Sequence, residues 1–262
     1  METLGYLLTI LIGLLIGLFG GGGSILTVPV LVYLFAIPAS LSTTYSLALV
    51  GITSLIAASP NVFNKKMSYN RILQFGIPSI ISLYLVRAFL LPSIPTEFLL
   101  LGFAIQKNMA MLVFFSILML FSGVYMIRQK NREPDCIDCP YKSLVLILAG
   151  LVEGFITGIV GAGGGFIIVP VLMIFGKLNM KQAVANSLFI IGVKSLIGFF
   201  GSSDIGDLNL IFLVKIFGIA LTGMFIGMRL NKKLDSKQLK PIFGYFVVGM
   251  GFLILGKELI FS

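Results

Sequence analysis

Gly13-Leu-Leu-Ile-Gly-Leu-Phe-Gly-Gly-Gly-Gly-Ser-Ile-Leu-Thr-Val-Pro-Val-Leu31 returns 141 residues later as Gly154-Phe-Ile-Thr-Gly-Ile-Val-Gly-Ala-Gly-Gly-Gly-Phe-Ile-Ile-Val-Pro-Val-Leu172. The ungapped match runs on to about Leu55 and Leu196, with glycines and prolines in register, so the chain contains an internal duplication. Apolar segments broken by Gly and Pro at corresponding places of two halves are the sequence mark of a secondary transporter's binding site.

The solvent for this chain is lipid. Of 262 residues 58% are apolar and 11% charged, with a mean hydropathy of +1.07, which describes an integral membrane protein. Its polar breaks, near 61–71, 92–108, 128–142, 177–183, 201–209 and 229–240, leave no room for a soluble domain. The net charge of +9 sits in these short loops, as membrane orientation requires, and does not point to nucleic acid. The acidic start Met1-Glu2-Thr3 and the repeat that follows it read as a retained helix, not a cleaved leader. No His is present and no phosphate loop, so neither His-based metal chemistry nor ATP hydrolysis is expected, and no cofactor, metal site or catalytic residue is assigned.

Six apolar runs, about 42–60, 72–92, 109–127, 182–200, 208–228 and 241–261, have the length of single crossings. Two others, 4–36 and 143–175, are too long for one crossing of a ~30 Å core, which takes about 20 residues. Each contains a glycine cluster, and glycine costs about 1 kcal/mol per residue inside a helix, so each run is predicted to break there into a hairpin of two short helices. The sequence leaves open whether these hairpins span or re-enter. The expected fold is all-α, with about eight helical runs in two repeats, 1–127 and 143–262, joined by a cytoplasmic linker, 128–142.

Loop charge sets the repeats' relative direction. Residues 61–71 carry Lys65, Lys66 and Arg71, whereas their counterparts 202–212 carry Asp204 and Asp207 and no basic residue. Residues 36–42 are uncharged, whereas 177–183 carry Lys177 and Lys181. The positive-inside tendency then places equivalent loops on opposite sides, giving inverted repeats with 61–71, 128–142, 177–183 and 229–240 cytoplasmic and both termini outside.

An unwound backbone in hydrocarbon must face protein or a polar cavity. The clusters Gly20, Gly21, Gly22, Gly23 and Gly161, Gly163, Gly164, Gly165 precede helices starting near Ser24 and Gly165, whose amide ends favour an anion. Gly13, Gly17, Gly154 and Gly158, at small-xxx-small spacing, are assigned to helix packing, and Pro29 and Pro170 to helix geometry. Polar positions after each hairpin, Thr44, Tyr45 and Ser46 in one half and Asn186 and Ser187 in the other, are candidate ligands for the anion or bonds between helices. Lys194 and Glu153 are ionisable residues within apolar runs: Lys194 offers charge to an anion, and Glu153 either pairs with it or carries a coupling proton. Arg87 and Lys215 sit near helix ends, where snorkelling accounts for them. Cys136-Ile-Asp-Cys139, in the linker, is either a redox pair or half a metal site with no second pair to complete it, and inert thiols are expected.

Gly-xxx-Gly-xx-Gly-x-Gly-Gly followed by Val-Pro-Val-Leu, present in both halves, resembles the TauE/SafE sulfite exporter family of membrane permeases along essentially the whole chain. The resemblance implies a multi-pass cytoplasmic-membrane transporter of sulfite, a sulfonate or a related small anion, with the two glycine clusters and the polar positions after them lining its path. Ala162, where the first repeat has Gly21, departs from the doubled pattern. The reading is a secondary carrier working by alternating access and not an enzyme, its partners a small anion and the bilayer. The alternatives are an anion channel through the same breaks and a membrane sulfur relay using Cys136 and Cys139.

Overall fold

Glycine and proline punctuate this chain where the apolar pattern alone would run on. The structure is a computed structural model and describes residues 2–21, 23–63, 67–90, 97–100, 103–128, 142–160 and 164–261. Among these, the first half folds as α1 (Glu2–Phe19), α2 (Ser24–Leu34), α3 (Ala39–Phe63), α4 (Tyr69–Leu85) and α5 (Lys107–Arg128). The second half repeats the series as α6 (Lys142–Val160), α7 (Gly165–Ile174), α8 (Met180–Phe200), α9 (Leu210–Lys233) and α10 (Ser236–Phe261). A π-turn, Val86–Leu90, extends α4, and a 3₁₀ turn, Ser203–Asp207, precedes α9. Between α4 and α5 the strands β1 (Glu97–Leu100) and β2 (Phe103–Gln106) pair antiparallel, a small departure from an otherwise helical chain.

Both long apolar runs break at glycine, giving α1 with α2 and α6 with α7. The second limbs, of 11 and 10 residues, are about 15–17 Å long at ~1.5 Å per residue and cannot cross a ~30 Å core. The Phe35 ring, at the end of α2, packs over Gly5 and meets Tyr6 at 5.3 Å between centroids, so the first hairpin returns to the side where it starts. Segments Leu41–Val62, Tyr69–Leu90, Met180–Phe200, Leu210–Lys233 and Lys237–Lys257 are each long and apolar enough to cross.

The duplication persists in backbone detail. Just past each short limb one residue takes the left-handed region, Ala36 at φ 53° two residues after α2 and Lys177 at φ 52° three residues after α7. The Ile37 amide then donates to Leu31 O and the Leu178 amide to Leu172 O, both at 3.2 Å. Both helix ends thus reverse through a left-handed residue without the usual glycine, closed by a bond one residue longer than that of a Schellman motif.

The two halves interlock. The four most extensive helix pairings, α1 with α9, α4 with α6, α3 with α8 and α5 with α10, all join one half to the other. A Cβ on Gly13 would strike Ala220 O and one on Gly17 would strike Met224 O, while in the second half Gly154 meets Ser79 O and Gly158 meets Leu83 O. Adding 141 to the first-half member of a pair and subtracting 141 from its second-half member gives the other pair, so the contacts are exchanged copies. Backbone-to-backbone approach of this kind is what small residues supply in lipid, where burial against hydrocarbon supplies little. Rising numbers match along α1 and α9 and along α4 and α6, which therefore run parallel. Gly51 packs on Leu196 and Gly192 on Leu55, so α3 and its own counterpart α8 run antiparallel. Gly244 by Ile127 and Gly251 by Leu120 give the same antiparallel sense for α10 on α5.

Candidate functional site: two helix breaks over a buried ion pair

The two breaks touch. A Cβ on Gly21 would lie 2.6 Å from Gly165 Cα, and one on Gly165 would strike Gly21 in return. Gly20, at φ 78°, rests on α8: the Ser187 hydroxyl donates to Val184 O at 2.9 Å and reaches Gly20 O at 3.4 Å. Gly164, at φ 69°, is the residue on which α7 starts, and only glycine takes that conformation without steric cost. The helices beginning at Ser24 and Gly165 thus start close together, and first-turn amides have no acceptor within their own helix.

Gly164 packs against Glu153 and Thr157 of α6, where a Cβ would overlap both side chains. Lys194 Nζ, from α8, donates to Glu153 Oε1 and Oε2 at 2.8 Å each, to Ser79 Oγ at 3.1 Å and to Thr157 Oγ1. Ser79 Oγ, from α4, in turn donates to Glu153 Oε2. Both charged residues are 1% exposed. Taking either charge into an apolar interior costs several kcal/mol, and only close pairing with satisfied hydrogen bonds offsets it. Three helices from both halves therefore converge on one carboxylate and one ammonium directly beneath the second break.

Other expected residues are placed as follows. Thr44 and Ser46 are buried on α3. Tyr45 and Asn186 are equivalent positions, and each accepts the backbone N–H at the start of a helix from the other half. Asn209 N donates to Tyr45 Oη at 2.6 Å, and Ser68 N donates to Asn186 Oδ1 at 3.0 Å. Asn209 and Ser68 are themselves equivalent and stand just before α9 and α4. A phenol in one half and an amide in the other thus fasten the same joint. Lys215 is exposed on α9. Gly22, Gly161, Gly163, Lys65, Lys66, Cys136 and Cys139, with most of the 128–142 linker, lie outside the described residues, as do the side chains of Ser24, Arg87 and Asp204.

Ser79 and Thr157 escaped the sequence reading. Their signal is a polar residue where the other half is apolar: Ser79 answers Ala220, Thr157 answers Ile16, and Glu153 answers Ile12. Ser54 and Ser195, another equivalent pair, are buried on α3 and α8 with no hydrogen-bond partner for their hydroxyls among the described residues.

The family model for the sulfite exporter TauE/SafE matches residues 6–254. A protein of Methanocaldococcus jannaschii named "probable membrane transporter protein" is 27% identical over 263 residues, covering 94% of this chain and 92% of its own. A Xylella fastidiosa protein of the same name is 29% identical over 262 residues, covering 95% and 92%. One from Haemophilus influenzae is 26% identical over 253 residues, covering 91% and 92%. No solved structure matches the chain at the level at which these relatives do. With a repeat of glycine-broken hairpins, helices of membrane-crossing length and a family match over nearly its whole length, the chain belongs to the sulfite exporter TauE/SafE family of multi-pass membrane transporters.

Proposed function

We infer that the protein is a secondary carrier for a small oxyanion, such as sulfite, a sulfonate or a related organic anion, bound where the two glycine breaks meet. The observation that carries this reading is the contact of Gly21 with Gly165, which brings two helix N-termini together beside Lys194. Helix N-termini favour negative charge, and backbone without side chains lets a ligand approach closely. The family name points the same way for sulfite.

The antiparallel crossing of α3 on α8, and of α5 on α10, supports inverted repeats, because an exchange axis lying in the membrane plane reverses equivalent helices. The basic loops then favour cell-membrane placement with both termini outside and 61–71, 128–142 and 229–240 cytoplasmic. Alternating access in this arrangement does not set residues 1–127 against 143–262. Each hairpin is clamped by backbone contact to a helix of the other half, so the moving bodies are α1, α2, α3 and α9 against α4, α6, α7 and α8, with α3 on α8 as the shared seam.

The test is uptake of sulfite, methanesulfonate, sulfoacetate and acetate into proteoliposomes. The expected result is saturable, counterflow-competent uptake of at least one of them, reduced at least tenfold by Gly21→Val in protein that still purifies as a folded species. Conductance at rates beyond carrier turnover replaces the carrier with a channel, and absence of flux for every anion removes the reading.

A further inference from the structure

The buried pair beneath the second break is placed like a site already holding an oxyanion. The Glu153 carboxylate presents both oxygens to Lys194 Nζ at 2.8 Å, receives the Ser79 hydroxyl, and lies against Gly164, where α7 begins. An ammonium, a hydroxyl and a helix start are the groups that recognise a carboxylate, sulfite or sulfonate head. Here they are occupied by a side chain of the protein itself.

The groups facing that carboxylate are Ser79 from α4, Lys194 from α8, Thr157 from its own helix, and the backbone of Gly164 from α7. Lys194 is the ionisable group in contact with it among the described residues. The equivalent place in the first half carries no charge: Ile12, Ile16, Ala220 and Thr53 stand where Glu153, Thr157, Ser79 and Lys194 stand in the second. A scaffold satisfied by apolar contact in one half therefore has no structural need of an ion pair in the other.

Resting on the carrier reading above, we propose that Glu153 is a tethered stand-in for the substrate, displaced from Lys194 by the incoming anion at the cost of one proton. The ledger of charge is simple. Before loading, the site holds a carboxylate and an ammonium; after loading, it holds a protonated Glu153, the same ammonium and one monovalent oxyanion. The site is neutral in both states. Proton and anion move together, one for one, and the loaded and unloaded carriers respond equally to membrane voltage. The ligand class is a small monoanion with at least two oxygens on one centre, matching the two carboxylate oxygens it replaces.

Linkage requires that protonating Glu153 and binding the anion favour each other by the same factor. The test uses the wild-type protein in proteoliposomes with sulfite, methanesulfonate, sulfoacetate and acetate as probes. The coupling is read on methanesulfonate, which keeps one charge from weakly acid to weakly basic pH, because sulfoacetate carries two charges and acetate crosses lipid as its neutral acid. Flux of the other probes without methanesulfonate overturns the monoanion class. An alkaline interior is expected to drive accumulation toward about tenfold per pH unit, the limit for one proton per anion, with proton entry matching anion entry on a trapped pH dye. A potential of either sign set with potassium and valinomycin is expected to change neither. Glu153→Gln is expected to lose the gradient-driven accumulation at least tenfold and to show counterflow whose apparent affinity no longer varies with pH. Flux that follows the imposed potential, or pH-driven accumulation undiminished in Glu153→Gln, overturns the stand-in while leaving the carrier. If Glu153→Gln does not fold, the wild-type proton-to-anion ratio decides alone, and a ratio of zero overturns the proposal. No flux of any probe overturns the carrier reading and this inference with it.

Discussion

Gly23 lies on the Ile12 carbonyl and on Ile16 of α1, and Gly164, its counterpart in the repeat, lies on the Glu153 and Thr157 side chains of α6. One is uncharged, its single hydroxyl, on Thr53, bonded within its own helix, and the other is a buried ion pair with two hydroxyls. The backbone contacts that hold each hairpin to its partner helix are retained in both, at Gly13 on Ala220 and Gly154 on Ser79. The duplication therefore kept the joinery and let the chemistry diverge. Packing is common to both halves; the charged pair is present in one.

The sharpest way to break this comparison is to make the second cradle like the first. Lys194→Met alone leaves Glu153 buried without its partner and is expected to destabilise the protein by about 3–5 kcal/mol, read as thermal unfolding in detergent. The combined change Ser79→Ala, Glu153→Ile, Thr157→Ile, Lys194→Thr copies the first half and is expected to recover most of that loss, because an apolar replacement of a buried pair is often neutral or better. It is expected to abolish transport. A quadruple variant as unstable as Lys194→Met would show that the halves are not built alike.

Next in size is the joinery. Gly13→Ala and Gly154→Ala each push a methyl group into a carbonyl of the facing helix, and each is expected to cost about 1–3 kcal/mol, matching one another within ~1 kcal/mol. A large effect at one site and none at the other would mean that one half carries the structure. Smaller effects are expected at the crossed fastenings. Tyr45→Phe and Asn186→Ala each leave a helix-initial amide without its acceptor, for about 1–2 kcal/mol apiece. The smallest effect has the opposite sign. Ala36→Gly and Lys177→Gly relieve a left-handed residue, and each is expected to stabilise by up to about 1 kcal/mol, since the steric relief exceeds the added chain entropy.

Much of this was legible in the residues. The doubled glycine phrase located both breaks, and the rarity of charge within apolar runs singled out Glu153 and Lys194, which the structure joins at 2.8 Å. The residues that complete the site were not legible in the same way. Ser79 and Thr157 are ordinary in a membrane helix, where a lone hydroxyl bonds its own backbone as Thr53 does to Leu49 O at 2.6 Å. Only the pairing of α4 with α6, which spacing along the chain does not reveal, brings Ser79 to the carboxylate. Tyr45 and Asn186 illustrate the same limit. Their sequence neighbourhood allowed either a ligand contact or a bond between helices, and only the fold shows each of them fastening the start of a helix from the other half.

The interlock has a consequence for biosynthesis. The glycine face of α1 fits α9, so Gly13 must wait for Ala220, a delay of about 10–40 s at a ribosomal pace of ~5–20 residues per second. Through that interval the nascent hairpin leaves the translocon with its close-packing groove unfilled. A polypeptide released before α9 emerges lacks the partner that makes α1 a settled guest of the bilayer, and quality-control proteases have a groove by which to know it.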